Sequence, residues 1–125
     1  MIHLNLASNN SRRFHEDNVW YDFTTELPQA VEGKFTCALL EFSSQSSMVE
    51  DLYVFCDLCE PEYVQDSVLP LLRIVSEPGE VSIPYFKPVS RQVIQRVHIT
   101  IRNQNLEVPS NSIGPVRITL GLERI

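Results

Sequence analysis

Cysteines carry the most reactive side chains of this sequence, and two of the three form a C-x-x-C motif at residues 56–59. Such motifs occur in redox sites and as half of zinc sites. A redox cysteine typically begins a helix, whereas this motif ends a strand-like segment, on which residues three apart lie on opposite faces. A zinc site needs two further ligands, and the histidines are scattered, at His3, His15 and His98. The sequence therefore predicts Cys37, Cys56 and Cys59 as buried or half-buried free thiols, with no metal site.

Acid–base chemistry has weak candidates. Acidic residues are grouped at Glu16-Asp17, Glu50-Asp51 and Glu60-x-Glu62, where neighbouring side chains on strands point apart or loops expose them to solvent. His98 shares the polar face of a strand with Arg96, and no partner for a general base can be identified. Glycine-rich phosphate-binding motifs and the G-x-S-x-G motif are absent from the sequence. We therefore expect no catalytic residue, no cofactor and no enzymatic activity.

Arginines and the single tryptophan are the candidates for an interaction surface. Arg96 and Arg102 lie on the outer face of one predicted strand and Arg117 on that of another, so pairing of these strands would form a basic strip. Trp20 could anchor an interface edge, and the alternative for it is core packing. Aromatic residues do not alternate with the arginines, and the net charge is −6, so nucleic-acid binding is not expected.

Charge is distributed unevenly along the chain. Residues 1–86 carry 4 basic and 14 acidic side chains, a balance of −10, whereas residues 87–125 carry 6 basic and 2 acidic ones, a balance of +4. Two interpretations remain open. Copies of the chain could associate through surfaces of opposite charge, or strands of opposite charge could be neighbours within one monomer.

The elements that must position these side chains are β-strands, because the dominant hydrophobic period is two residues. In residues 93–101 the predicted inward positions are Val93, Gln95, Val97, Ile99 and Ile101. Residues 116–122 alternate in the same way, with Arg117 outward. Both segments have one polar face, which favours antiparallel pairing.

Shorter alternating segments predict further strands at residues 2–6, 19–23, 35–40, 52–56, 71–75 and 81–85. Turn residues separate these segments, and only residues 62–67 could hold one helical turn. About eight short strands separated by turns predict an all-β protein, an antiparallel β-sandwich or a barrel.

Length and composition indicate one globular domain over residues 1–125, with 43% hydrophobic and 21% charged residues. The longest apolar runs are far shorter than the ~20 residues of a membrane span. The alternation that begins at Met1 does not resemble a secretory signal. We therefore expect neither a membrane span nor a secretory signal.

Segments along nearly the whole chain resemble one family in order. The most specific block is YVFCDLCEP at residues 53–61, followed by residues 63–66 and by LPLLRIV at residues 69–75. Before it come LASNNS at residues 6–11, FTTELP at residues 23–28 and the segment 33–41. After it come YFKPV at residues 85–89 and the strands around Ile99 and Ile118. These segments resemble the minor capsid, penton-like proteins of Maverick/Polinton elements and adintoviruses.

This resemblance implies a β-sandwich of the single jelly-roll type that builds the vertex of a virion. It also implies a homo-oligomer, expected to be a pentamer, that contacts the major capsid protein. The protein would then be made in the host cell and located in the virion. The alternatives are a β-sandwich binding module that recognises a receptor or a glycan, a domesticated host protein, and, as a third class, an enzyme.

Overall fold

A computed structural model describes residues 1–11, 17–44, 50–110 and 113–125, which contain eleven β-strands and one helical turn. The strands are β1 (Ile2–Ala7), β2 (Asp22–Glu32), β3 (Phe35–Ser44), β4 (Leu52–Cys56), β5 (Glu62–Val64), β6 (Ser67–Leu69), β7 (Leu71–Val75), β8 (Gly79–Glu80), β9 (Lys87–Pro88), β10 (Val93–Asn103) and β11 (Val116–Arg124). The helical turn α1 (Ser8–Ser11) follows β1. Within these ranges a membrane-spanning helix is not found.

The described strands form two antiparallel sheets and a separate hairpin. The first sheet has the order β1-β11-β3-β8, and β9 also pairs with β3. The second sheet has the order β2-β10-β4-β7, and β5 pairs with β6 in the hairpin. The two sheets pack face to face, so the predicted all-β antiparallel sandwich is confirmed.

Period-two alternation explains which face each long strand buries. In β11, Val116, Ile118 and Leu120 are buried while Arg117 is exposed, as the sequence predicts. In β10, Val97, Ile99 and Ile101 point into the same interior. Burial of a large apolar side chain stabilises the fold by about 1.5–3 kcal/mol, so these inward positions hold the sheets together.

The N-terminal part of β10 departs from the predicted alternation. A β-bulge shifts the register between Ile94 and Arg96, so that Ile94 is buried while Val93 and Gln95 are exposed. The prediction that Val93 and Gln95 point inward is therefore wrong. The register advances two residues along β10, from Ile94 to Arg96, but five along β2, from Val31 to Glu26, and this irregular pairing lets the faces of β10 reverse.

Three shorter segments also differ from their predictions. Residues 62–67 form the β5–β6 hairpin rather than a helical turn, with Gln65 in the left-handed conformation at φ 55°. Residues 81–85 lie between the two-residue strands β8 and β9 and form no strand. The predicted strand at residues 19–23 begins only at Asp22, after an isolated bridge between Val19 and Asp22.

Candidate functional site

The polar outer face of the second sheet carries two of the predicted interface residues, Arg96 and Arg102. We call it the polar sheet face and define it by six residues: Asp22, Thr24, Glu26, Arg96, His98 and Arg102. All six have even numbers on β2 and β10, and the register pairs Arg96 with Glu26 and His98 with Thr24. Strand pairing therefore places these side chains on the same side of the sheet.

Both arginines of the polar sheet face are bound within the monomer. Arg96 Nε lies 3.3 Å from Glu26 Oε1. Arg102 Nη2 lies 3.7 Å from Asp22 Oδ2, and Arg102 Nη1 donates to the Tyr21 carbonyl oxygen at 3.2 Å. These guanidinium groups complement acidic side chains of their own sheet.

Arg117 lies on the other sheet, so the predicted basic strip does not exist. Its strand, β11, pairs with β1 and β3, whereas β10 pairs with β2 and β4. The side chain of Arg117 is exposed on the outer face of the first sheet. The structure thus brings Arg96 and Arg102 together and separates Arg117 from them.

Ion pairs within the monomer account for much of the charge asymmetry along the sequence. Besides Arg96 and Arg102, Lys87 Nζ lies 2.9 Å from Glu62 Oε1, and Arg91 Nη2 lies 2.5 Å from Asp57 Oδ2. In all four pairs the cation follows residue 86 and the anion precedes it. For these residues, the interpretation that oppositely charged segments are neighbours in one monomer is confirmed.

His98 has partners that the sequence did not reveal. Its Nδ1 lies 2.6 Å from Thr24 Oγ1, and its Nε2 lies 2.6 Å from Asp22 Oδ1. Hydroxyl, imidazole and carboxylate stand in the order of a hydrolase proton relay. They also lie directly or diagonally opposite one another on paired strands, so register alone brings them together. The only signal in the sequence was alternation: Asp22 and Thr24 on β2, like His98 on β10, occupy every second position of their strand.

Asp57 supports this face from the end of β4. Its Oδ1 accepts a hydrogen bond from the His98 backbone amide at 2.9 Å, and its own amide donates to the His98 carbonyl oxygen at 3.1 Å. The Asp57 carboxylate therefore continues the hydrogen bonding of β10 one residue beyond the end of β4. Its other oxygen binds Arg91.

We expect Asp57→Ala to lower the free energy of unfolding by about 1–2 kcal/mol, because the amide of His98 loses a charged acceptor at a half-exposed site. The matched control is Arg91→Ala, which removes the ion pair but keeps the acceptor, and it should cost less than about 1 kcal/mol. Urea unfolding of both variants checks this. Equal losses would show that the ion pair, and not the backbone hydrogen bond, is the stabilising contact.

The three cysteines form a cluster between the two sheets. All are buried free thiols, as predicted. Cys37 comes from β3 of the first sheet and Cys56 from the end of β4 in the second, and the three thiols are near enough to shift one another's pKa. The expectation that Cys56 and Cys59 lie on opposite faces is wrong. The chain turns after β4, and the Cys59 amide donates to the Cys56 carbonyl oxygen at 3.0 Å, so both side chains point inward.

Hydrogen bonding makes the three thiols unequal acids. Hydrogen bonding from Cys37 and Cys56 lowers the pKa of Cys59 and outweighs burial, which raises it; the Lys87 ammonium adds a smaller lowering effect. For Cys37, the bond to Cys56 lowers the pKa, but the bond to Cys59 and burial outweigh it and the pKa is raised. Bonds to both neighbours, together with burial, raise the pKa of Cys56. Cys59 is therefore the thiol of the cluster that most readily becomes a thiolate.

Trp20 packs against the hydrophobic core, which is the alternative that the sequence left open for it. Its ring meets that of Tyr21 edge to face, with the centroids 5.3 Å apart. The indole is half-buried, and it lines a cavity of about 360 Å³ together with Val19, Tyr21 and Gly114. Its Nε1 is buried and has no hydrogen-bond partner among the described residues.

Among residues 1–11, 17–44, 50–110 and 113–125, no group of three or more histidine, cysteine or acidic side chains is arranged to hold a metal ion. His15 and Glu16 lie outside these ranges. The chemistry available in the described residues is that of a polar sheet face and of a buried thiol cluster.

Comparison with known proteins adds no relative: no protein-family model, no curated protein and no solved structure matches the chain.

Proposed function

We propose that this chain is a non-enzymatic structural protein, a penton-like minor capsid subunit of a Maverick/Polinton-like or adintovirus-like virion. The sequence resemblance over nearly the whole chain supplies the family. The antiparallel sandwich agrees with the expected building block. The observation that carries self-association is a set of exposed apolar side chains around one edge of the second sheet.

Strand order supports the jelly-roll part of this proposal. Each sheet joins strands from the two ends of the chain: β1 pairs with β11 in the first sheet, and β2 pairs with β10 in the second. The next strands inward, β3 and β4, also lie in different sheets. Strands from the two ends of the chain thus pair in succession, and successive pairs alternate between the two sheets. This is the strand order of a jelly roll, which consists of two Greek keys.

An apolar surface surrounds β7, which ends the second sheet. We call it the edge surface and define it by the exposed residues Tyr63, Val68, Ile74, Ile83 and Tyr85. Tyr63 is 87% and Tyr85 67% exposed, which is unusual for large aromatic side chains. An exposed group of this kind marks an interaction site on a folded protein.

Hydrogen bonds bring the parts of the edge surface together. Tyr63 pairs directly with Val68 across the β5–β6 hairpin. Lys87 Nζ lies 5.9 Å from the centre of the Tyr85 ring and also binds Glu62, the neighbour of Tyr63. Arg73, on β7, donates to the Ile83 carbonyl oxygen at 2.8 Å. The hairpin, the edge strand and residues 83–87 thus form one side of the molecule.

Charge complementarity indicates that the partner of the edge surface is a second copy of this chain. Exposed acidic residues flank it along the chain, namely Glu60, Glu62, Asp66, Glu77 and Glu80. Arg117 is exposed on the outer face of the first sheet. We assign Arg117 to the complementary surface, so that one copy meets the next through two different faces and a closed ring forms. Around such a vertex the neighbour is the major capsid protein.

The test is the mass of the purified protein by light scattering over a range of protein concentrations. We expect a closed oligomer whose dissociation constant rises, without loss of the oligomer, above about 0.1 M salt, because apolar contacts hold the ring while charges orient it. Tyr63→Ser combined with Tyr85→Ser should weaken association by on the order of 100-fold, as buried aromatic anchors do. Arg117→Glu should weaken it only at low salt.

The matched control is Val108→Ser, which changes an exposed apolar residue outside the edge surface and should leave association unchanged. All these side chains are exposed in the monomer, so the melting temperature measured at a concentration where the protein is monomeric should hardly move. A protein that stays monomeric at high concentration and low salt would overturn self-association. It would leave a subunit that assembles only with another capsid protein, or a binding module.

One observation favours the binding module as the second candidate. The cavity beside Trp20 and Tyr21 combines two aromatic rings with the polar residue Asn9. Aromatic rings with nearby polar groups can bind the apolar face of a sugar ring and its hydroxyls. Chemical-shift changes at Trp20 when oligosaccharides are added to a monomeric protein would support glycan recognition over assembly.

A further inference from the structure

The cysteine cluster contains a pair of thiols from opposite sheets beneath one short segment of chain. Cys37 lies on β3, and its register partner is Lys87 of the two-residue strand β9. Cys59 forms an isolated bridge with Val89, two residues further on. Residues 87–90 therefore pair with the backbone at both Cys37 and Cys59.

Side-chain and backbone hydrogen bonds hold this segment in place. Lys87 Nζ binds Glu62 Oε1 at 2.9 Å and the Leu71 carbonyl oxygen at 2.7 Å, and Ser90 Oγ donates to the Leu58 carbonyl oxygen at 3.3 Å. The Val89 amide donates to the Phe35 carbonyl oxygen at 3.0 Å, on the first sheet. The Ser90 amide donates to the Leu58 carbonyl oxygen at 2.8 Å, and the Glu60 amide donates to the Pro88 carbonyl oxygen at 3.3 Å. Breaking these bonds and the β9 pairing exposes Cys37 and Cys59 together, and local opening of such short pairings costs less than global unfolding.

Cys56 is placed differently. It ends β4, whose backbone is paired with β10 on one side and β7 on the other, and its register partner is the buried residue Ile99. Release of residues 87–90 leaves both of these pairings intact. Of the three thiols, Cys56 therefore stays covered when the segment opens.

We propose that Cys37 and Cys59 form a reversible disulfide that links the two sheets, with a peroxide as the oxidant. The Cys59 thiolate attacks one oxygen of hydrogen peroxide, the O–O bond breaks, and Cys59 sulfenic acid and hydroxide form. Cys37 then loses its proton and its sulfur attacks Cys59; the S–S bond forms and the S–O bond breaks, releasing a second hydroxide. The protons of the two thiols convert both hydroxides into water, so two thiols and one peroxide give one disulfide and two waters.

Cys59 is the attacking sulfur because hydrogen bonding from Cys37 and Cys56, which stay in the sheets when residues 87–90 open, favours its thiolate. The contact that contributes most to this preference is the one with Cys37. A disulfide between these residues closes a loop that spans β3 and β4, so it constrains the unfolded chain more than a Cys56–Cys59 bridge. In a virion subunit it would form after release from the reducing cytosol, and this timing alone rests on the proposed function.

The experiment treats the purified full-length chain with one equivalent of hydrogen peroxide under native conditions and maps the disulfide by mass spectrometry after blocking the remaining thiols. We expect one peptide pair, Cys37 with Cys59, and one blocked thiol, Cys56. The melting temperature should rise by on the order of 10 °C and return on reduction. This measurement does not depend on self-association. A failure of the disulfide proposal can therefore be distinguished from a failure of the proposed function.

Single variants give the matched controls. Cys56→Ala should keep the cross-link and the rise in melting temperature, whereas Cys37→Ala and Cys59→Ala should each lose both. A Cys56–Cys59 or Cys37–Cys56 bridge, or three thiols still free after treatment of the wild-type chain, would overturn the proposal. Disulfide mapping of the wild-type chain tests the Cys37–Cys59 bridge even if an alanine variant fails to fold.

Discussion

Ile94→Ala is expected to lower the free energy of unfolding by about 2–4 kcal/mol, whereas Val93→Ala should cost less than about 0.5 kcal/mol. Ile94 is fully buried between the sheets, so truncation removes apolar contacts and leaves a cavity. Val93, its neighbour, is 52% exposed, and its loss leaves no cavity. The large contrast between these adjacent β-branched residues follows from the register shift between Ile94 and Arg96.

Urea unfolding of the two variants measures this contrast, with equal m-values as the sign that both still unfold in one step. Val93 belongs to the same alternating series as Val97, Ile99 and Ile101, and without the bulge it would be the buried residue. A larger loss for Val93→Ala than for Ile94→Ala would therefore contradict the register of β10.

This pair of residues also marks how far the sequence predicts the fold. Hydrophobic alternation predicted the two long strands and the faces of β11, because each inward position there is followed by an outward one without interruption. It could not predict the register shift between β10 and β2. The extra residues of this irregular pairing lie on β2, between Glu26 and Val31, more than sixty residues earlier in the chain, so the pattern of β10 itself does not show them.

Long-range pairing also explains the outcome at the candidate site. Arg102 and Arg117 lie on consecutive long strands, and consecutive strands are often neighbours, so a shared basic strip was a reasonable prediction. In the structure β11 instead pairs with β1, from the opposite end of the chain. The partners of His98 come from β2 for the same reason. The sequence identified the candidate residues, but it could not show which of them lie together in space, because that depends on the order of the strands in the sheets.

The thiol cluster was hidden by a turn. A strand continued through Cys59 would point it away from Cys56, yet the chain turns at Asp57 and Leu58 and points both thiols inward. Asp57 has a role in this turn, since its carboxylate replaces the missing strand neighbour of His98. The same four residues thus end a strand, support the polar sheet face and complete the cysteine cluster.

Gly114→Ala is expected to lower the free energy of unfolding by about 3 kcal/mol, the upper end of the usual cost of overpacking. A Cβ atom at this position would collide with the Trp20 indole, at Cγ and Cδ2. The indole is a rigid ring system that already packs against Tyr21 and the core, so it cannot move aside by changing a terminal torsion. Either the ring or the backbone at Gly114 must shift.

Gly121→Ala is the matched control, because its Cβ would meet the ends of two flexible side chains, Leu40 Cδ1 and Met1 Sδ. These atoms can move at little cost, and alanine is favoured over glycine in a strand, so the net change should stay within about 1 kcal/mol. Thermal or urea unfolding of both variants gives the comparison. A loss as large for Gly121→Ala would show that strand packing in general, and not the rigid indole, sets the penalty.

A double-mutant cycle then tests whether Trp20 is the residue responsible. Trp20→Leu should recover part of the stability lost in Gly114→Ala, with a coupling of about 1–2 kcal/mol between the two sites, because the smaller side chain vacates the space that the new methyl group needs. If the losses simply add, the indole is not the obstacle. Coupling would assign Trp20 to the packing of the sandwich, so that the edge surface, with Tyr63 and Tyr85, supplies the aromatic anchors for assembly.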